Sequence, residues 1–322
     1  MTTYLDDQRA HAISLTRLSG DPLDLGTTGA PFMGSARDFV LQDGVKNLHA
    51  PIRTPVVEYF QRNGVGWWGG KKVPGHLLSS QVACVNHLFA WRHDAHAALA
   101  VLQGLDPEFE EALHVPGDSF SPGYVQFEAV SDHQYLNERG LTRGSQCTSL
   151  DAIMFGRLKS GDNVLVAIEW KYTEAYGNTD KSAEGMDRDP SNCRGMQRQR
   201  NYNGLIQNSA QLAPADWHIC YYEPFYQLMR QTLWCEQRVL HRAEERLKAS
   251  RYLHVHVVPR KNLDLLDKRY QLSGKGMEDT WRSVLQDQSL YRIVEPKDFV
   301  APVVGGSAYA DLGRYLDQRY WQ

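Results

Sequence analysis

Three residues near the middle of the chain have the types and spacing to do chemistry together. They are Asp151 and, after 17 intervening residues, Glu169 and Lys171 of the run "EWK". Two carboxylates are hard oxygen ligands, and such ligands suit Mg2+, with Mn2+ able to substitute. The carbonyl of Trp170 lies between the two functional side chains and is a further ligand candidate. An ammonium beside a bound cation can orient or deprotonate a water and offset growing negative charge. The combination suits attack of water on a phosphodiester.

The elements that must position these residues are two strands. "TSLDAIMF" (148–155) and "NVLVAIEWKY" (163–172) are joined by "GRLKSGDN", which carries the turn residues Gly161, Asp162 and Asn163. An antiparallel hairpin centred on Ser160 sets Asp151 opposite Glu169. Side chains opposite one another lie roughly 4.5–5.5 Å apart at Cβ. Two carboxylates that close call for a cation between them. Lys171, two residues on, shares the face of Glu169. The third strand is apolar from Val164 to Ile168, as a central strand covered on both faces would be. The plainer alternative for the charged trio is a structural salt bridge.

The rest of the chain supplies the frame. "HLLSSQVACVNHLFAWRHDAHAALAVLQGL" (76–105) carries a helical apolar stripe and reads as one long helix. "YVQFEAVS" (124–131) alternates as a strand, and so does "DWHICYYE" (216–223). A second long helix runs from Pro224, and "RYLHVHVVPR" (251–260) is a further strand. "TPVVEYFQRN" (54–63), "MEDTWRSVLQDQ" (277–288) and "AYADLGRYLDQRYW" (308–321) read as helices, and residues 1 to about 50 as an irregular arm or cap. The order implies an α/β sandwich with a mixed sheet.

Asp151 followed by "EWK" resembles the D…ExK signature of the PD-(D/E)xK nuclease superfamily, which has a restriction-endonuclease-like fold. "LLSSQVACVNHLF", "EWKYTE" and "YYEPFYQLMRQTL" look like an uncharacterised branch of it. Leu150 stands where many members have proline. The resemblance implies an αβββαβ core with a mixed central sheet flanked by helices, over residues 77–258. An N-terminal arm and cap (1–76) and a C-terminal helical extension packed on the core (259–322) would be additions. It implies an Mg2+-dependent nuclease, with Asp151 and Glu169 on the metal and Lys171 catalytic. DNA is the expected substrate, and a homodimer pairing two sites would cut both strands. Two other readings stand beside it: a nucleic-acid-binding protein with an inactive nuclease fold, and a scaffold in a defence or repair complex.

Other residues are weighed against blander roles. Glu128 is a third metal ligand or part of a solvated strand face. Gln81 reaches the site from the first helix or is an ordinary helix-start residue. Glu174 is a carboxylate behind the ligands or a surface group. Trp67, Trp68, Lys71 and Lys72 lie in the Gly-rich loop "GVGWWGGKKVPG" (64–75). They suit base stacking and phosphate contact, or a loop packed on its tryptophans. Arg188, Arg194, Arg198 and Arg200 follow the active strand and read as phosphate contacts or solvated surface. Further basic residues run from Arg238 to Arg251. His254 and His256 read as a polar strand face before a metal pair. Ser79 and Ser80 near His76 lack a G-x-S-x-G elbow, and the chain has no P-loop.

Bulk properties agree with a folded protein. Of 322 residues 42% are hydrophobic, enough for a sizeable core. The net charge of −3 is not that of a DNA-packaging protein. Five widely spaced cysteines without a CxxC pair argue for reduced, mostly buried thiols. The absence of a long apolar run or signal-like N-terminus gives the expectation of a cytoplasmic protein with no membrane partner.

Overall fold

The computed structural model of the chain describes residues 3–116, 122–138, 140, 147–189 and 192–322. It begins with α1 (Tyr4–Thr16), not with an irregular arm. Thr3 caps this helix by accepting the Asp6 N–H at 3.2 Å. Its buried stripe of Tyr4, Gln8, Ala12 and Leu15 is interrupted by the polar Gln8, which hides the period in the sequence. Gln8 is there for a partner: its Oε1 accepts the Tyr172 hydroxyl at 2.8 Å. A small ribbon, β1 (Pro31–Phe32) and β2 (Ser35–Ala36), follows, then α2 (Arg53–Arg62).

The expected long helix over 76–105 is broken in two, α3 (Ser80–Leu88) and α4 (Ala95–Leu105). Asp94 is the reason. Its side chain accepts the N–H groups of His96 and Ala97 at 2.9 and 3.1 Å and starts a new helix. Then come β3 (Phe109–Leu113), β4 (Val125–Ala129), β5 (Leu150–Leu158) and β6 (Asn163–Trp170). The segment 216–223 is not a strand. Residues Trp217–Tyr221 form a 3-10 turn, started by Asp216 accepting the His218 N–H at 3.0 Å.

α5 (Arg194–Asn208) is a helix that the sequence reading did not assign. It buries only Gly195, Tyr202 and Ile206, too few to show as a stripe. α6 (Phe225–Leu240) is the second long helix. The chain finishes with β7 (Arg251–Val257), α7 (Leu263–Leu266), α8 (Met277–Arg282), β8 (Tyr291–Val294), α9 (Pro296–Val304) and α10 (Ala310–Tyr320).

The main sheet runs β3-β5-β6-β7-β8, with β4 also pairing β5. β5 and β6 are antiparallel, from Ala152↔Ile168 to Arg157↔Asn163, in the register the sequence implies. Gly161, at φ +86°, makes the turn between them. β6–β7 and β7–β8 are parallel, so the sheet is mixed. The order α3, β4, β5, β6, α6, β7 is the expected αβββαβ core.

Two apolar layers cover the sheet. Val164, Val166, Ile168 and Trp170 face a core that also holds residues from Ala12 to Tyr320. Leu165 and Ala167 face a second core under α5, α6 and α8. Fully burying a Val, Leu or Ile side chain contributes about 1.5–3 kcal/mol, so a strand buried on both sides is a rigid support. All five cysteines are free thiols and four are buried. No helix among the described residues is long and apolar enough to cross a membrane.

Candidate active site

The site begins where the sheet departs from regularity. Phe127 packs in the first core and Ala129 in the second, although residues two apart in a strand share a face. Across the ladder, Ala152 and Leu150 switch cores in the same way. The residues at the switch are Glu128 and Asp151. Glu128 has φ +49°, the left-handed region, which costs a side chain with a Cβ about 1–2 kcal/mol. Backbone held this way collects at functional sites.

The switch turns Asp151 away from the simple face-to-face pairing with Glu169. Its Oδ2 accepts the backbone N–H of Trp170 at 2.7 Å, taking the place of a ladder bond. The N–H and C=O of one strand residue point to the same side, so the Trp170 carbonyl faces β5 as well. Burial pushes the Asp151 carboxyl well above the usual range, and Glu169 and Glu128 push it further.

Asp151 opens on a cleft of about 830 Å³. Glu128, Ser149, Gln81 and Glu174 line it as well. Gln81 donates from Nε2 to Glu128 Oε1 at 2.7 Å and to the Gly66 carbonyl at 3.1 Å. Its Oε1 accepts the Trp68 N–H at 2.8 Å. One amide thus joins the acid on β4 to the Gly-rich loop. Glu174 accepts the Tyr172 N–H at 2.7 Å at the cleft rim.

Glu169 and Lys171 lie on the α6 side and are each only 5% exposed. Lys171 Nζ donates to Glu169 Oε1 at 2.5 Å and to Gln227 Oε1 at 2.6 Å. The other Glu169 oxygen accepts from Gln231 Nε2. Burial alone would favour the neutral amine of Lys171. Glu169 outweighs it, with Tyr176, Glu174 and Asp151, and holds Lys171 protonated with a raised pKa.

His254 and His256 do not form a polar surface, because α6 and Tyr291 cover them. His254 Nε2 meets Gln231 Oε1 at 3.1 Å, and His256 Nδ1 meets the Tyr291 hydroxyl at 3.1 Å. Burial pushes the His254 pKa down to about 4 and holds that of His256 well below the usual imidazole range. Ser79 is the cap of α3, accepting the Val82 N–H at 3.3 Å.

The basic residues singled out in the sequence are elsewhere. Lys71, Lys72, Arg188, Arg194 and Arg200 are exposed and, like Arg198, do not line the cleft. Arg194 and Arg198 converge on Glu184 at 3.1 and 2.7 Å. Arg238 pairs with Glu245 and Arg246 with Asp132, both at 2.5 Å.

Sequence reasoning missed Gln227 and Gln231, which hold Lys171 and Glu169. Their spacing of four on a helix covering the sheet was the available signal. It missed Arg9 and Phe32, which reach the cleft from the N-terminal segment. Among the described residues no group of three or more His, Cys, Asp or Glu converges as a metal cluster. The carboxylates that line the cleft are Asp151, Glu128 and Glu174.

Against known proteins, a family model described as "Restriction Endonuclease associating with ARP" matches residues 30–321. No curated protein and no solved structure matches the chain.

Proposed function

The chain belongs to this restriction-endonuclease family, and from that premise we propose that it is a metal-dependent nuclease hydrolysing phosphodiester bonds in DNA. The observation that carries the reading is Asp151. It is a carboxylate set at the break in the sheet, in an open cleft, beside Glu128 and one strand from Glu169 and Lys171.

The residues fit a hard divalent cation, Mg2+ or Mn2+. Asp151 carries like-charged neighbours, and the hydrogen bond it accepts is from a neutral N–H. Asp151 and the Trp170 carbonyl would hold the ion with one further carboxylate, Glu169 or Glu128. When bound, it would stabilise charge on the phosphoryl oxygens and acidify its water. Lys171, kept as an ammonium by its contact with Glu169, orients the attacking water and offsets charge on the phosphate. Gln227 and Gln231 fix Lys171 and Glu169 in position. Gln81 holds Glu128 at the cleft.

A second reading, a nucleic-acid binder with an inactive site, is favoured by one observation. Both Glu169 oxygens are already engaged, by Lys171 and Gln231. The two readings separate in one experiment. Purified protein is incubated with plasmid and linear DNA in Mg2+, Mn2+ or EDTA. Metal-dependent cleavage, lost in Lys171→Ala and in Asp151→Ala, is expected. Cleavage that persists in either variant sinks the site assignment. Tight, salt-sensitive binding without cleavage in any metal establishes the second reading.

A smaller effect is expected at Gln81. Gln81→Ala leaves Glu128 without its 2.7 Å donor. Loss of such a supporting partner costs about 10–100-fold in activity or metal affinity. Half-buried Gln81 touches no core side chain through its amide, so the melting temperature should stay within about 2 °C of wild type. Full activity in this variant would remove Gln81 from the site.

A further inference from the structure

Trp67 and Trp68 are neighbours with opposite fates. Trp67 is 7% exposed and stacks on Phe60, with centroids 3.9 Å apart and planes within 12°. Trp68 is 54% exposed. The cause is a tight turn. The Trp67 N–H donates to the Gly70 carbonyl at 3.1 Å, and the Gly70 N–H to the Trp67 carbonyl at 3.0 Å. Trp68 and Gly69 form its tip, and Gly69 takes φ +83° as a third turn position requires. Gln81 then pins the Trp68 N–H.

The exposed ring is therefore presented by a braced backbone. It stands against Phe32 at 5.8 Å and His76 at 5.6 Å, and Phe32 lies 4.6 Å from His76. Burial, then Arg9, lowers the His76 pKa to about 4, so at neutral pH it is an uncharged aromatic ring. All three rings line the same cleft as Asp151 and Glu128. Arg9, whose side chain is 37% exposed and pairs with Asp6 at 2.8 Å, lines it too and is its nearest guanidinium. Exposed aromatic surface beside a polar reaction site calls for an occupant with a flat π-face and a nearby negative charge.

We propose that the corner formed by Phe32, Trp68 and His76 stacks one unpaired base of the nucleic-acid substrate, with its phosphate toward Arg9, so that the cleft takes single-stranded or locally opened DNA. This rests on the nuclease reading and adds to it the form of the substrate. A base inside an intact duplex has both faces covered and cannot stack on the corner. The cleft volume of about 830 Å³ suits a nucleotide-sized group, within the roughly 300–1,000 Å³ typical of small-ligand pockets.

The test measures binding in EDTA, where no cleavage interferes. Fluorescence anisotropy compares an eight-nucleotide oligo-dT, an abasic chain of the same length and a blunt duplex. The abasic chain keeps the phosphates and lacks the bases. Wild type should bind oligo-dT about tenfold more tightly than the abasic chain, a typical single-base stacking effect. Oligo-dT should also exceed the duplex. Trp68→Ala should erase the preference and Trp68→Phe should restore most of it. Equal binding of the oligo-dT and abasic chains by wild type, an undiminished preference in Trp68→Ala, or no binding at all would overturn the proposal. Cleavage is scored separately with metal. Loss of base preference with cleavage intact removes this proposal alone. Base-dependent binding without cleavage counts against the nuclease reading instead.

Discussion

Asp151→Asn is expected to lower metal-dependent cleavage by about a thousandfold, the scale of losing a central charge-stabilising contact. The same variant should be more stable than wild type when both are free of metal. Asn keeps the oxygen that accepts the Trp170 N–H. It removes a charge that burial, then Glu169 and Glu128, make unfavourable.

The pH dependence follows with a definite sign. The Asp151 carboxyl has a higher pKa in the fold than in the unfolded chain, so the fold binds the extra proton. Metal-free stability is then greatest below about 4, the unfolded value, and falls as pH rises toward the raised one. Asn carries no such slope. At neutral pH and in EDTA the variant should melt about 2 °C higher, a typical gain for relieving one functional-site conflict in a chain of this size. Added Mg2+ should raise the melting temperature of wild type and leave Asp151→Asn unchanged. Equal Mg2+ stabilisation of both would place the metal elsewhere.

The β5–β6 hairpin was legible because a nine-residue strand, a Gly–Asp turn and an apolar run leave little freedom in register. What escaped the sequence is the break at Glu128. A glutamate in the left-handed region has no local signature, because the surrounding packing imposes it. That break sends Asp151 to the cleft while Glu169 and Lys171 stay under α6. The cleft wall was equally hidden. Arg9, Phe32, Trp68 and Asp151 meet only through folding, from segments far apart in the chain. The strand assigned to 216–223 failed for the opposite reason. Its alternation is real, but Asp216 captures the His218 N–H and starts a turn. Local capping won there and again at Asp94, whereas at Glu128 distant contacts did.

Lys171→Met should be the most destabilising single change at the site. The Lys171–Glu169 pair is nearly sealed, with both side chains 7% exposed. Removing the ammonium leaves Glu169 buried, with the neutral Gln231 as its remaining hydrogen-bond partner among the described residues. Breaking a buried pair from one side costs about 3–5 kcal/mol, because the remaining charge has lost its counter-ion. Adding Glu169→Gln should recover most of that loss. The new amide oxygen still accepts from Gln231, and no charge is left behind. Urea unfolding of the two single variants and the double variant measures the coupling directly. Cleavage should be absent in Lys171→Met and stay absent in the double variant, although its fold is restored. That divergence separates the two roles of the pair, since stability needs only charge balance and the reaction needs the charges themselves. A Lys171→Met protein as stable as wild type would show that Glu169 is not carrying a buried charge. Recovered cleavage in the double variant would take Lys171 out of the chemistry.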